Sequence, residues 1–225
     1  VLEIAFRHGV RKIVKSKSMV SEESALDLAI EGAGLEVVET DLGEYILQIN
    51  GYEPPSHIVG PALHKSKEEV TELFHRRHGT PRKDGIEDLC REARAVLREH
   101  YLTADMGISG GNFFVAETGS VLLVTNEGNA SLATTLPKVH VAISGIEKIV
   151  PTLEDAATLM RLLPRSATGQ SISNYVDVLT GTRGEGEFHG VDHMYFILVD
   201  SGRTGVLASE VREALRCIRC GACMN

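Results

Sequence analysis

Cys217, Cys220 and Cys223 close this 225-residue sequence in the run Cys217-Ile218-Arg219-Cys220-Gly221-Ala222-Cys223. Two consecutive two-residue gaps let three thiolates converge on one face of a cubane iron-sulfur cluster, and the small Gly221 and Ala222 suit a chain wrapped around inorganic sulfide. A tetrahedral zinc site gathers its ligands as separated pairs, often with His, and would be one ligand short here. The spacing therefore predicts Cys217, Cys220 and Cys223 as ligands of a [4Fe-4S] cluster. A ferredoxin run continues with three residues and then Cys-Pro, whereas this one stops at Met224-Asn225. The expectation is a motif cut short, with a stable cluster in the full-length protein and not in this chain alone.

A second candidate is Lys15-Ser16-Lys17-Ser18, placed after an apparent strand and before a helix. Two ammonium groups, two hydroxyls and free helix amides could hold a carboxylate or phosphate there; a solvated basic turn is the competing reading. Glu117-Thr118-Gly119 sets a carboxylate at a bend that glycine permits, and Asn126, Glu127 and Asn129 form a similar polar turn. His75 and His78, beside Arg76 and Arg77, read as an exposed basic face. His189, Asp192 and His193 read as a polar loop in preference to a metal site.

The elements that would carry these residues alternate short β-like runs with amphipathic windows, which predicts an α/β fold with a largely parallel sheet flanked by helices. Lys12-Ile13-Val14 reads as a strand, Ser21 as the cap of a helix through Ala33 that Gly32 and Gly34 stop, and Leu35 to Val38 as the next strand. His57-Ile58-Val59 is expected as a further strand, followed by a helix opened by the capping box Ser66 and Glu69. The stripe Ile86, Leu89, Cys90, Ala93, Leu97 and Tyr101 places Cys90 in the core. Phe113 to Val115 and Val121 to Val124 form a hairpin, and Lys138 to Ser144 a buried strand. Thr152 and Asp155 open a helix that ends before Pro164, and Tyr175 to Leu179 and Tyr195 to Val199 add sheet.

A formal charge of -8 argues against nucleic acid as a partner, because sequence-independent binding to phosphates needs a basic surface. Apolar runs are only of strand length, which excludes a transmembrane helix. Three crowded cysteines do not make a secreted disulfide framework, and with no secretory signal they point to the cytoplasm. Val1 reads as the middle of a helix, so truncation is expected at that end too.

Several stretches resemble a known family: Lys15-Ser16-Lys17-Ser18-Met19, Glu39-Thr40-Asp41-Leu42-Gly43-Glu44-Tyr45, Ile108-Ser109-Gly110-Gly111-Asn112-Phe113 with Ala116-Glu117-Thr118-Gly119, Thr125-Asn126-Glu127-Gly128-Asn129, Leu136-Pro137-Lys138-Val139-His140, Arg165-Ser166-Ala167-Thr168-Gly169-Gln170, and the cysteine run. Together they resemble the iron-sulfur B proteins of bacterial L-lactate utilisation, whose amino-terminal part is a lactate-utilisation (LUD) domain. Phe188 to His193 departs from that likeness. The resemblance implies a fold similar to ribose-5-phosphate isomerase and the coenzyme A transferases, with residues 1–212 as the LUD domain and 213–225 as the start of a ferredoxin-like region. It further implies two [4Fe-4S] clusters relaying electrons, with companion subunits, in the oxidation of L-lactate to pyruvate. The expected site comprises Lys15, Lys17, Ser18, Gly110, Asn112, Thr118, Gly119, Asn126 and Asn129 around a small anionic ligand, with Glu117 as candidate nucleophile by analogy with the transferases. A carboxylate- or thioester-processing enzyme and a partner-docking scaffold stand as alternatives.

Overall fold

The computed structural model describes residues 1–224. Helix α1 (Leu2–Arg7) leads into β1 (Lys12–Lys15); α2 (Met19–Glu23) and α3 (Leu26–Gly32) return the chain to β2 (Glu36–Glu39). Helices α4 (Leu42–Ile49), α5 (Lys67–His78) and α6 (Ile86–Thr103) precede β3 (Met106–Ser109), and β4 (Phe113–Val115) and β5 (Ser120–Thr125) form a hairpin. Then follow α7 (Asn129–Thr135), β6 (Val139–Gly145), β7 (Ile149–Val150), α8 (Leu153–Thr168), β8 (Tyr175–Leu179), β9 (His193–Val199) and α9 (Arg203–Leu207).

Five strands in the order β2-β1-β3-β6-β9 make a sheet whose pairings are all parallel. Because successive strand residues face opposite sides, Ile13 enters a core with Ile30, Met106 and Val141, while Val14 enters another with Tyr45, Phe74, Leu97 and Ala133. Helices α1 and α3 cover the first face, and α4 to α7 the second. This is the helix-flanked parallel sheet that the alternation of elements predicts. A second, mixed sheet in the order β7-β4-β5-β8 packs one face on α8, through Phe113, Leu122 and Ala156, and the other toward Ala130 and Ala142 of the first layer. Among the described residues no helix is long and apolar enough to cross a membrane.

Four local expectations are corrected. The cap of α2 is Ser18, whose hydroxyl accepts the Ser21 amide, and the single helix expected from Ser21 is broken at Ala25, held in the left-handed region at φ 49°. The run His57-Ile58-Val59 is no strand: the His57 imidazole accepts the Val59 and Gly60 amides and folds the segment on itself. Pro164 lies inside α8, at the cost of one backbone hydrogen bond; the helix continues to a left-handed Gly169 because Leu163 and Pro164 are buried together. Cys90 is exposed, since Leu89, Ala93 and Leu97 complete the buried stripe of α6 without it.

His78 also departs from the exposed basic face. Its imidazole is buried, 2.9 Å from the Tyr45 hydroxyl and 2.7 Å from Glu92 Oε1. Burial raises the Glu92 carboxyl, but hydrogen bonds from Thr80, Lys83 and His78 outweigh it and bring it down to about 2. A carboxyl held down in the folded state stabilises the protein above its unfolded range, near pH 4.5, and that stability is lost as pH falls toward 2. Glu92→Gln is thus expected to lower stability by roughly 3 kcal/mol at pH 7 in urea melts, with the gap to wild type closing below about pH 4.

The seating of α7 on β3 depends on Gly107, where a Cβ would stand 1.7 Å from the Ala133 carbonyl oxygen. Gly107→Ala is expected to destabilise the fold by about 3 kcal/mol, read as a lower urea midpoint; an unchanged midpoint would mean that α7 moves away freely.

Candidate functional site

Strand β2 lies on one side of β1 and β3 on the other, so the chain reverses direction across the sheet at β1. The loops leaving the carboxyl ends of β1 and β3 therefore diverge, and open α/β sheets bind ligands in such crevices. Here the crevice is a cavity of about 470 Å³. The β1 loop enters it through Ser16, Lys17 and Ser18, held by the Ser16 amide donating to the Ile108 carbonyl at 2.9 Å. The β3 loop supplies Gly110, Gly111 and Asn112. A Cβ on Gly110 would approach the Lys17 carbonyl oxygen to 3.1 Å, which is why the two loops can lie so close.

Asn112 Oδ1 accepts the Val124 amide at 2.8 Å, locking the wall formed by the end of β5. Beyond it, Thr125 Oγ1 lies 2.9 Å from the Glu127 carbonyl oxygen and 3.1 Å from Asn129 Oδ1, so Asn126, Glu127 and Asn129 form one ordered turn on the cavity. Ser144, at the end of β6, donates to the Gly111 carbonyl at 2.9 Å. Leu163, Pro164 and Ala167 of α8 give the apolar side.

Lys17, Lys148 and Arg219 bring three cationic groups to this lining, against the carboxylates of Asp41 and Glu127. Asp41 is occupied as the cap of α4, accepting the Gly43 and Glu44 amides. Lys148 is buried in the 3-10 turn Ile146–Lys148 and donates to the Cys217 carbonyl. Burial pulls its ammonium below the ordinary lysine value, with Glu147 opposing and Arg219 assisting. Arg219 in turn lies 3.5 Å from Glu147, which also pairs with Arg203 at 2.6 Å. Through these contacts the cysteine segment is folded back on the domain, with Ile218 packed against the α8 core and Cys220 in the cavity lining.

Of the residues expected from sequence, Lys17, Ser18, Gly110, Asn112, Asn126 and Asn129 come together in this one cavity, and four do not. Glu117, Thr118 and Gly119 are exposed on the β4–β5 turn, where Glu117 Oε2 accepts the Leu153 amide at 3.3 Å and Thr118 lies 2.7 Å from the Ser120 hydroxyl. Lys15 points away from the crevice. It is wholly buried, touching Glu39, Ser21 Oγ at 3.1 Å and Asp27 at 3.6 Å. Burial works against its charge, but Glu39 and Asp27 outweigh that and hold the ammonium above the ordinary lysine value. Nothing in the sequence signals that Ser144 or Arg219 joins this lining; the trace of Lys148 is the charged pair Glu147-Lys148 set between Ile146 and Ile149-Val150.

Thiolates at this spacing have the chemistry of an iron-sulfur donor set, but their present arrangement does not fit one. Among the described residues no three His, Cys, Asp or Glu side chains are placed to hold a metal, and Cys217 Sγ accepts the Arg219 amide at 3.4 Å.

Comparison with known proteins gives a consistent picture. Residues 5–199 match the LUD domain family. Over all 225 residues the chain is 51% identical to lactate utilization protein B of Geobacillus kaustophilus, spanning 47% of that protein, and equally so to the protein of that name in Lysinibacillus sphaericus. The Anoxybacillus flavithermus protein of the same name is 53% identical over 215 residues, 96% of this chain and 46% of its own length. The chain thus spans about half the length of these relatives. The crystal structure of a DUF162 family protein from Deinococcus radiodurans aligns with 88% of this chain and 93% of its own, at 16% identity and a TM-score of 0.37.

The Lys148 bond to the Cys217 carbonyl is a charge-assisted contact of the kind worth roughly 1.5 to 3 kcal/mol. Lys148→Met is accordingly expected to speed thiol labelling of Cys220 by about tenfold or more, followed by mass spectrometry; an unchanged rate would show that the segment is held by other contacts.

Proposed function

This chain belongs to the LUD domain family, and from that premise we propose that it binds a small carboxylate in the β1–β3 crevice as part of a cytoplasmic iron-sulfur protein of bacterial lactate oxidation. The observation that carries the reading is the shared lining: Lys17, Asn112 and Lys148 face the same cavity as Arg219 and Cys220 of the cysteine run. Lys17 and Lys148 reach the lining with only carbonyl partners, at Val59 and Cys217, while Arg219 is paired with Glu147 and Asp41 is spent on a helix cap; the two ammonium groups favour an anion. Hydroxyl and amide groups of Ser16, Asn112, Asn129 and Ser144 can orient its oxygens, and the α8 side chains accept a short apolar body. The names of relatives about 50% identical over the whole chain support lactate utilisation as the setting.

In this reading Cys217, Cys220 and Cys223 ligate a [4Fe-4S] cluster in the protein at the length of its relatives, and the cluster passes electrons between companion subunits. The folded-back arrangement of the three thiols is not itself a ligand set, so the segment must rearrange for a cluster to be held.

Two measurements test the proposal. L-Lactate or pyruvate is expected to raise the melting temperature of this chain saturably, and Lys17→Met with Lys148→Met to abolish the rise; no shift with any small carboxylate would remove the anion site. Anaerobic reconstitution of the protein at the length of its relatives is expected to give about four irons per cluster, with a reduced-cluster EPR signal and iron lost in a Cys217→Ser, Cys220→Ser variant; zinc, or no metal, would remove the electron-transfer role.

A further inference from the structure

A second cavity, of about 230 Å³, opens above the carboxyl ends of β1 and β2, where Lys15 turns away from the crevice. Its polar lining is unbalanced. Glu22, Asp27, Glu39, Glu44 and Glu53 face it with Lys15 as the one cation of the lining. Glu53 is satisfied from outside, by Lys65 at 2.5 Å and His64 at 2.9 Å. The single ammonium of the lining is taken up by Glu39 Oε1, Asp27 and the Ser21 hydroxyl, while Lys17, outside the lining, favours the ionised forms of Glu22 and Glu44 without bonding to either.

Glu39 and Glu44 are only 4% and 7% exposed, yet Glu39 Oε2 and Glu44 Oε1 have no hydrogen-bond partner. Nearly all buried polar atoms in folded proteins are hydrogen-bonded, so two unpartnered carboxylate oxygens lining one cavity mark a missing donor. Burial pushes the Glu39 carboxyl well above the ordinary range, and Asp27, whose Oδ1 is also unpartnered, lies within hydrogen-bond reach to share its proton; Glu44 has no such neighbour. The Gln48 amide is spent on the Glu39 amide, the Val37 carbonyl and the Tyr52 hydroxyl, and Tyr52 itself donates to Glu31. A donor that carries positive charge together with N–H groups answers both the excess of carboxylates in the lining and the unpartnered oxygens. Leu26, Leu47, Pro54 and Pro55 give the rest of the wall, an apolar surface for a short alkyl chain. The volume lies below the ~300 to 1,000 Å³ of sites for drug-sized ligands, which limits the occupant to a few heavy atoms.

We propose that this cavity binds a small organic cation, an alkylammonium or alkylguanidinium, whose N–H groups are received by Glu39 and Glu44 and whose alkyl chain lies against Leu47, Pro54 and Pro55. The site is separate from the crevice and does not depend on the carboxylate reading. Burial, with Glu22 nearby, raises Glu44 to about 7, so Glu44 is poised to ionise when a cation arrives.

The test is calorimetric titration and thermal shift of the full chain at pH 8 and fixed ionic strength, with propylammonium and butylguanidinium as probes and butanol as neutral control. Saturable binding of at least one cation, with none for butanol, is expected. Glu44→Gln is expected to weaken it about tenfold or more while melting no lower than wild type, since it removes a buried charge. Glu210→Gln makes the same charge change on the surface and is expected to bind as wild type. Glu39→Gln is a poorer variant because it strips the buried Lys15 of its partner. The proposal is overturned if neither cation binds saturably, which would mean that Glu44 takes up a proton instead, or if Glu44→Gln and Glu210→Gln bind equally, which would reduce the effect to net charge.

Discussion

The reversal of strand order at β1 governs this molecule. A parallel sheet requires each crossover to be covered by helices, and where crossovers leave in opposite directions the helices cannot cover the strand ends. The crevice is what remains. Close backbone approaches set its frame: Gly110 lies where a Cβ would crowd the Lys17 carbonyl, and Gly107 lies where a Cβ would overlap the Ala133 carbonyl beneath α7. The second sheet then closes the crevice from one side, because Asn112 ties the start of the β4–β5 hairpin to Val124 and Ser144 ties β6 to Gly111.

Buried charge does the remaining positioning. Glu147, 6% exposed at its side chain, receives Arg203 and Arg219, and Arg203 also reaches Glu23 at 2.7 Å. Four residues far apart in sequence thus meet in one network, and with them α2, α9 and the cysteine segment are set against the sheet. Such networks are costly to break one partner at a time, since the charge left behind stays desolvated. Lys15 makes the corresponding knot on the other side of β1. Its burial among Glu39 and Asp27 follows from strand alternation, which sends Lys15 and Ser16 to opposite sides, and it separates two cavities of different charge.

Much of the fold was legible because its signals are local. The Ser66 and Glu69 capping box, the Thr152 cap, the stop near Gly34 and the β4–β5 hairpin depend on neighbours a few residues away, and each is found as expected. Expectations failed where a distant partner or a rival local bond decided. His57 gives its imidazole to two amides instead of letting its segment pair as a strand, and His78 is drawn inward by Tyr45 and Glu92 from other helices.

By itself the sequence determined the class of the fold, the family likeness and most of one wall of the crevice, because periodicity, caps and short motifs are written in contiguous residues. Only the tertiary structure decided which residues share a cavity. Lys15 and Lys17 are two positions apart yet serve different cavities, Glu117 stays outside both, and Lys148 and Cys220, seventy-two positions apart, line one surface. Such outcomes rest on where β1 ends and its loop turns, so that Lys17 escapes the alternation that buries Lys15, and on which buried charge reaches which partner, and neither is set by the residues adjacent in the chain.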